Sequence, residues 1–424
     1  MTIDWKFARM IFPVCALIFA AASFPGSAAV LDLKEPLVPI PADSAPNVKA
    51  ASGILVDVET RTILWQRNAD EPRPIASLTK VMTALLLLEH TKPDELISAP
   101  AEASLTQESS IHLVEGERLT AVDMLYAIML RSANDACVAI AHHISGSVPA
   151  FAALMNRRAE QLGCRNTHFV NPNGLHDPNH YSSASDMARI TLAALEYPLF
   201  NQVIATRKHT LSRSRNQGDL LVVNKSRILG RFEGADGVKT GYTRAAGRCF
   251  IGSATRNGRR VLSVVLNSPD VWADTEALLE YGFRGFERRI LVPYGAEVGR
   301  VNIANHLVPC FAGKELVALV PRGWSVSPKL HPVVQNNALP IPKGFRIGVA
   351  RVVLGGRAVA SVPIMAAESV EKKRTNLKLL VFPAVIAFFV VRAYARKAAK
   401  ANIRRRVGIK KEGRGINSRR ARYR

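Results

Sequence analysis

Three short strings in a fixed order constrain this chain more than any other feature: Ser77-Leu-Thr-Lys80, Ser132-Ala-Asn134 and Lys239-Thr-Gly241. Each alone is only two or three fixed letters, but their settings differ in kind. Ala76–His90 is apolar on nearly all sides and reads as a buried helix with Ser77 at its start. Ser132-Ala-Asn134 falls at a turn between two helices within Leu119–Ser145. Lys239-Thr-Gly241 precedes the β-rich runs Arg248–Ala254 and Val261–Asn267, which flank the hairpin signal Asn257-Gly258. For the strings to act together, a strand must lie against the start of a buried helix. The expected class is α+β, with an antiparallel sheet packed against helices.

The remaining pattern fits that frame. Ser52–Val58 and Arg61–Gln66 form a hairpin candidate around Glu59-Thr60, after the Pro- and Ala-rich lead Val30–Lys49. Ser147–Leu162, Ser185–Leu195 and Trp272–Phe286 read as helices, and Asn171-Pro-Asn-Gly174 as a turn-rich loop. Past Arg289, short Val/Ile-rich runs alternate with Gly and Pro: Val298–Ile303, Leu316–Val320, Gly344–Val353 and Ala358–Val362. The expected layout is a catalytic domain over residues 36–290 and a small all-β domain over 291–368. No internal repeat is visible.

Both ends address the chain to a membrane. Lys6 and Arg9 precede the apolar stretch Met10–Phe24, and small residues follow at Gly26–Ala29. Residues 1–28 therefore read as a secretory signal peptide, with an uncleaved anchor as the alternative. Cys15 lacks the residues a lipid attachment site needs before it. The formal net charge is +23, yet Arg392–Arg424 holds fourteen Lys or Arg against one Glu. More than half of the charge is thus a tail directly behind the apolar run Leu379–Val391, and such an excess marks the cytoplasmic side of a bilayer. This distribution argues against a nucleic-acid partner. If Lys378 and Arg392 snorkel, residues 377–395 offer a helix of about 28 Å as a membrane anchor. Residues 396–424 then form a basic cytoplasmic tail, and the bulk of the protein lies outside the cytoplasm. An interfacial anchor is the alternative.

The strings supply a nucleophile without a histidine. A serine hydroxyl needs a base within hydrogen-bond reach, and Lys80 projects from the same helical face as Ser77. To serve as that base Lys80 must be neutral part of the time. Burial lowers a lysine pKa, and a second cation, expected to be Lys239, lowers it further. The Ser132 hydroxyl is placed to relay a proton toward a leaving group, and the Asn134 amide to hold substrate backbone. Lys239 and Thr240 offer an ammonium and a hydroxyl for a carboxylate, and Gly241 allows close approach to the strand. Helix capping by Ser77, Ser132 and Asn134, and a solvated Lys239, are the plain structural alternatives.

Taken with their flanks, these residues resemble the low-molecular-mass penicillin-binding proteins, serine-type D-alanyl-D-alanine carboxypeptidases. Pro74–Ala84 (PIASLTKVMTA), Arg131–Ala136 (RSANDA), Thr167–Leu175 (THFVNPNGL), Tyr181–Ala188 (YSSASDMA) and Gly234–Thr243 (GADGVKTGYT) are similar to family segments, in family order. The likeness runs from about Ala51 to Arg289, and Ile341-Pro-Lys-Gly344 extends it into the β-rich part. The resemblance implies a penicillin-binding/β-lactamase-like transpeptidase fold and a two-step acyl transfer on peptidoglycan stem peptides. Ser77 attacks the carbonyl between two terminal D-alanines, with the backbone N–H groups of Ser77 and Tyr242 as oxyanion hole. It also implies acylation of Ser77 by β-lactams, and a basic residue near the substrate carboxylate at Lys225. Tyr242 stands where some relatives carry His, and Arg248 where an apolar residue is frequent.

The rivals are weaker. A class A β-lactamase needs an acidic deacylating residue, and no matching Glu-containing loop lies between Ser145 and Ser226. A D,D-endopeptidase would use the same residues on crosslinks. A non-catalytic peptidoglycan-binding scaffold would not need a base beside the serine. His168, His176, Asp177 and His180 cluster in sequence without a His-Glu-x-x-His helix, and read as surface histidines rather than a metal site. No metal or cofactor is expected. Cys137, Cys164, Cys249 and Cys310 form no metal spacing, and read as free buried thiols with one disulfide as the alternative. Oligomeric state leaves no trace in the sequence.

Overall fold

The computed structural model describes residues 32–38, 40, 45–106, 108–216, 218, 220–336, 338–372 and 377–415, with side chains in the last stretch from 382 to 403. The signal peptide assigned to residues 1–28 lies outside these residues. Strands β1 (Ser52–Asp57) and β2 (Ile63–Arg67) pair antiparallel around Glu59-Thr60. A 3-10 turn over Ala76–Thr79 then leads into α1 (Lys80–His90), so Ser77 precedes the α-helix instead of opening it. The cause is local: Ala76 has φ +49°, which an α-helical turn does not accommodate.

Next come β3 (Leu96–Ser98), α2 (Ala101–Ser104), β4 (Arg118–Thr120), α3 (Ala121–Tyr126), a π-turn over Ala127–Arg131, α4 (Asn134–Ser145) and α5 (Val148–Gln161). Helices α6 (Ala184–Leu195) and α7 (Pro198–Ala205) and the short strands β5 (Lys208–Thr210) and β6 (Leu221–Val223) follow. The unit then lays down β7 (Ala235–Thr243), β8 (Gly247–Arg256), β9 (Arg259–Ser268) and α8 (Val271–Gly285). The pairs β3/β4 and β5/β6 are three residues per strand, too short to leave an alternation in the sequence.

The central sheet has the order β2-β1-β9-β8-β7, antiparallel throughout. Successive residues of a strand point to opposite faces, and here both faces are covered. Ile54, Val56, Leu262 and Val264 enter one core, with the buried side chains of α1, α4 and α6. Leu55, Val261 and Val265 enter a second, with Leu278 and Leu279 of α8. That is why Ile54–Val56 and Val261–Leu266 read as apolar runs with little alternation. β7 closes the sheet as an edge strand, with one side unpaired.

Beyond α8 the chain is β-rich: β10 (Phe286–Val292), β11 (Glu297–Ile303), β12 (His306–Ala312), β13 (Leu316–Pro321), β14 (Lys329–Val334), β15 (Arg346–Leu354) and β16 (Arg357–Ala366). Five of them form a sheet of order β11-β12-β16-β15-β14, while β10 pairs with β13. The described residues fall into two compact units, the first running to Pro293 and including Glu315–Lys329 and Val352–Ala360. The architecture is the expected one, a sheet packed against helices with a small β-rich unit. A final helix α9 (Leu377–Gly415) contains Pro383. Among the described residues no single helix is long and apolar enough to cross a membrane.

Candidate active site

The site is assembled where α1, α4, β7 and the loop before α6 converge. Lys80 Nζ lies 3.0 Å from Ser77 Oγ, 2.8 Å from Asn134 Oδ1 and 2.6 Å from the Asn173 carbonyl. An ammonium has three N–H donors, and these three acceptors use all of them. Asn134 is in turn placed by its own N–H, which donates to the Ser109 carbonyl at 2.7 Å. Next to it Asp135 accepts from Ser110 Oγ and from the Ile111 and Leu113 amides, tying the 109–113 loop to the start of α4.

Lys80 is fully buried, and no carboxylate forms an ion pair with it among the described residues. Burial pulls its pKa down from 10.5 to about 8, and the Lys225 charge pushes the same way. Lys239 is buried too, and it is held well below the ordinary lysine range by burial and then by the Lys80 and Lys225 charges. Repulsion is reciprocal, so a proton on either of the two disfavours one on the other. Lys239, the cation expected beside Lys80, is coupled to it, and Lys225 acts on both. The lowered pKa brings neutral Lys80, able to accept a proton, within reach near neutral pH.

Gly241 reveals how close β7 comes. A Cβ at this position would stand 3.0 Å from the Ile75 carbonyl oxygen and 3.3 Å from the Ser77 amide nitrogen. The space expected for a substrate at Gly241 is thus occupied on this side by the Ser77 turn itself. Lys239 Nζ donates to the Thr240 carbonyl at 3.2 Å. The Tyr242 side chain is exposed. Ser132 closes the π-turn in a left-handed conformation, φ +67°, and is buried. The π-turn that Ser132 closes packs on both α1 and β7, the elements that carry Lys80 and Lys239. Single π-turns of this kind recur at functional sites. Lys225 is exposed, its Nζ donating to Ser109 Oγ at 3.0 Å. Of the predicted residues, Lys80 meets Ser77 and Asn134 directly and Gly241 lies against the Ser77 turn, while Lys225 meets Ser109.

These observations stand beside the comparisons with known proteins. Residues 41–270 match the family model described as D-alanyl-D-alanine carboxypeptidase. The D-alanyl-D-alanine carboxypeptidase DacF of Bacillus subtilis is 31% identical over 337 residues, covering 76% of this chain and 86% of the relative. The chain belongs to this family. A D-alanyl-D-alanine endopeptidase of Escherichia coli is 32% identical over 228 residues, covering 53% of this chain and 73% of its own length. Among solved structures, penicillin binding protein 5 of Haemophilus influenzae superposes with a TM-score of 0.66 at 28% identity, covering 77% of this chain and 99% of that one. As a member of the carboxypeptidase family the protein is a serine hydrolase.

Three contributors were not assigned to the site from the sequence. The Asn173 carbonyl meets Lys80, and a backbone group leaves no letter. The indirect signal was Gly174: with φ +84°, a Cβ there would lie 2.0 Å from the Ala76 carbonyl oxygen. Ser109 holds both Asn134 and Lys225. His180, expected at the surface, is buried beneath the Ser77 turn, whereas His168 and His176 are exposed. Among the described residues no three His, Cys, Asp or Glu side chains gather as a metal set. All four described cysteines are free, and burial raises the Cys137 thiol to about 11, so it is no rival nucleophile.

Proposed function

We propose that Ser77 is the nucleophile of a D-alanyl-D-alanine carboxypeptidase acting on peptidoglycan stem peptides, with Lys80 as its base. The observation that carries this reading is the 3.0 Å approach of Ser77 Oγ to a buried lysine with a pKa near 8. Neutral Lys80 takes the hydroxyl proton as Oγ adds to the carbonyl between the two terminal D-alanines. The oxyanion is received by the Ser77 and Tyr242 N–H groups. Ser132 passes the proton to the departing amine, and free D-alanine leaves. Water, activated by the same lysine, then hydrolyses the ester and restores the Ser77 hydroxyl. Asn134 and the open side of β7 hold the extended peptide, as edge strands do. Lys239 and Thr240 receive its terminal carboxylate, with Lys225 adding positive charge nearby. The reaction needs no cofactor, and β-lactams acylate Ser77 by the same first step.

The extracytoplasmic placement follows the family. The C-terminal anchor is our reading: Phe382, Val385, Ile386 and Phe388–Val391 are exposed on α9, directly ahead of the basic tail. Apolar side chains left bare on a helix point to burial in lipid. Deleting residues after 372 should release the protein from membranes; a truncated form that stays in the membrane fraction overturns the anchor.

For the activity, wild type and Ser77→Ala are compared by fluorescent-penicillin labelling and by D-alanine release from a stem pentapeptide. Wild type should label and release, and the variant do neither. Labelling of Ser77→Ala removes the nucleophile assignment. Cleavage of crosslinked dimers without free D-alanine favours the endopeptidase reading.

A further inference from the structure

Behind the Ser77 turn runs a line of hydrogen bonds that the mechanism above does not use. The Val170 N–H donates to His180 Nδ1 at 3.2 Å. This leaves the proton of a neutral imidazole on Nε2, which is 2.8 Å from Thr79 Oγ1. The Thr79 hydroxyl donates onward to the Ala76 carbonyl at 2.8 Å. From the imidazole onward every member is buried: His180 is 3% exposed, Thr79 0% and Ala76 3%. The imidazole is held edge-on against Phe169, their centroids 5.6 Å apart. Burial also pulls the His180 pKa down to about 4, with Asp177 opposing and His168, Lys80 and His176 assisting, which favours the neutral ring.

The end point of this line is informative. The Ala76 carbonyl and the Ser77 N–H belong to one planar peptide and point in opposite directions. Fixing the carbonyl therefore fixes the direction of the N–H. Ala76 needs such fixing, because φ +49° is uphill for a residue with a Cβ. Gly174 presses on the same carbonyl from the loop side. Donation into a carbonyl also polarises the attached N–H, strengthening the next bond in the chain by roughly 10–30%.

We propose that Thr79 and His180 are positioning residues that aim and polarise the Ser77 N–H, the oxyanion-hole donor, through the Ala76 carbonyl. This rests on the proposed Ser77 acyl-transfer chemistry. The charge it serves exists only once the oxyanion forms, so its loss should lower kcat and leave KM nearly unchanged. Losing a whole oxyanion-hole donor costs roughly 10²–10³-fold. Misaiming one should cost about 10–100-fold.

The test uses Thr79→Val, Thr79→Ser and His180→Leu in the full chain. D-alanine release is measured alongside the infrared carbonyl band of the Ser77 ester formed with a β-lactam. A well-aimed donor holds that band at low wavenumber. Thr79→Val should lower kcat 10–100-fold, keep KM within about twofold and move the band up. His180→Leu should do the same to a smaller degree, and Thr79→Ser should restore both readouts. If Thr79→Val fails to fold, the Thr79→Ser and His180→Leu pair carries the comparison. Normal kcat with an unmoved band in folded His180→Leu or Thr79→Val overturns the proposal. So does a fall in kcat without any band shift, which would mark a merely structural role. Wild type that forms no ester at Ser77 brings down the acyl-transfer reading first, and this inference with it.

Discussion

The first unit buries charge in two opposite ways. Around Arg213 the charge is fully answered: Nε and Nη2 reach the two Glu117 oxygens at 2.8 Å each, and the Ile111, His112 and Gly218 carbonyls take the remaining N–H groups. Both side chains are completely buried. Burial alone would raise the Glu117 carboxyl, but the Arg213 side chain and the Val114 amide outweigh it and hold it below the usual range. Around Lys80 the burial is just as complete, yet its partners are a hydroxyl, an amide and a carbonyl, none of them charged. A paired buried ion keeps its proton state and pins loops together. An unpaired one becomes titratable near neutrality, which a base requires.

The largest expected effect comes from removing the unanswered charge. Lys80→Met keeps the stem volume and deletes the ammonium. D-alanine release should fall by at least about 10³-fold, since base and nucleophile act as one unit. The melting temperature should hold or rise, because an uncompensated buried cation is a burden on the folded state. A variant that loses activity only by unfolding would erase the contrast with Arg213.

Removing one side of the answered pair should do the reverse. Glu117→Ala strands a buried guanidinium, at a cost of about 3–5 kcal/mol. For a unit of this size that lowers the melting point by roughly 6–20 °C. Arg213→Met with Glu117→Leu should recover most of the loss, since no charge is left unpaired. Thermal denaturation of the three proteins measures this. A Glu117→Ala protein as stable as wild type would mean that the pair does not pin the 111–118 loop.

How much of this could be read from letters follows the same division. The side chains of Ser77, Lys80, Asn134 and Lys239 were visible because their types and spacing carry chemistry. The helix and long strands around them were visible because burial on all sides leaves largely apolar runs such as Val81–Leu88 and Val261–Leu266, each broken by one hydroxyl residue. What stayed hidden was carried by backbone. The 3-10 turn at Ala76–Thr79, the Asn173 carbonyl and the close approach of Gly241 to Ser77 depend on dihedral angles and contacts that no local pattern encodes. His180 was misread for a related reason. Among turn-forming residues a histidine looks solvated, and only the tertiary placement of Thr79 and Phe169 around it buries the ring. Lys225 was legible only through family likeness, and its action on both buried lysines required the fold.

The pH dependence sharpens the contrast further. If neutral Lys80 is the base, kcat/KM should rise with unit slope on the acid side and level off near pH 8. Stability should move in the same direction. The unfolded chain holds the Lys80 proton up to its ordinary 10.5 and the folded chain only to about 8, so between these values U binds more protons and raising the pH favours N. A profile already flat at pH 6.5 would show Lys80 neutral well below that point, or not the base.

The smallest effect belongs to Lys225, which lowers Lys80 through space without touching it. Lys225→Ala should move the acid limb of kcat/KM to higher pH, because one repelling charge is gone. Lys225 is exposed and its field passes partly through solvent, so the displacement should be about half a pH unit or less. Salt offers an independent check. Raising ionic strength from about 0.05 to 0.5 M shortens the screening length from roughly 14 to 4 Å. In wild type this should move the limb the same way as the substitution, and in Lys225→Ala much less. A limb that shifts equally with salt in both proteins would assign the long-range part of the Lys80 environment to charges other than Lys225.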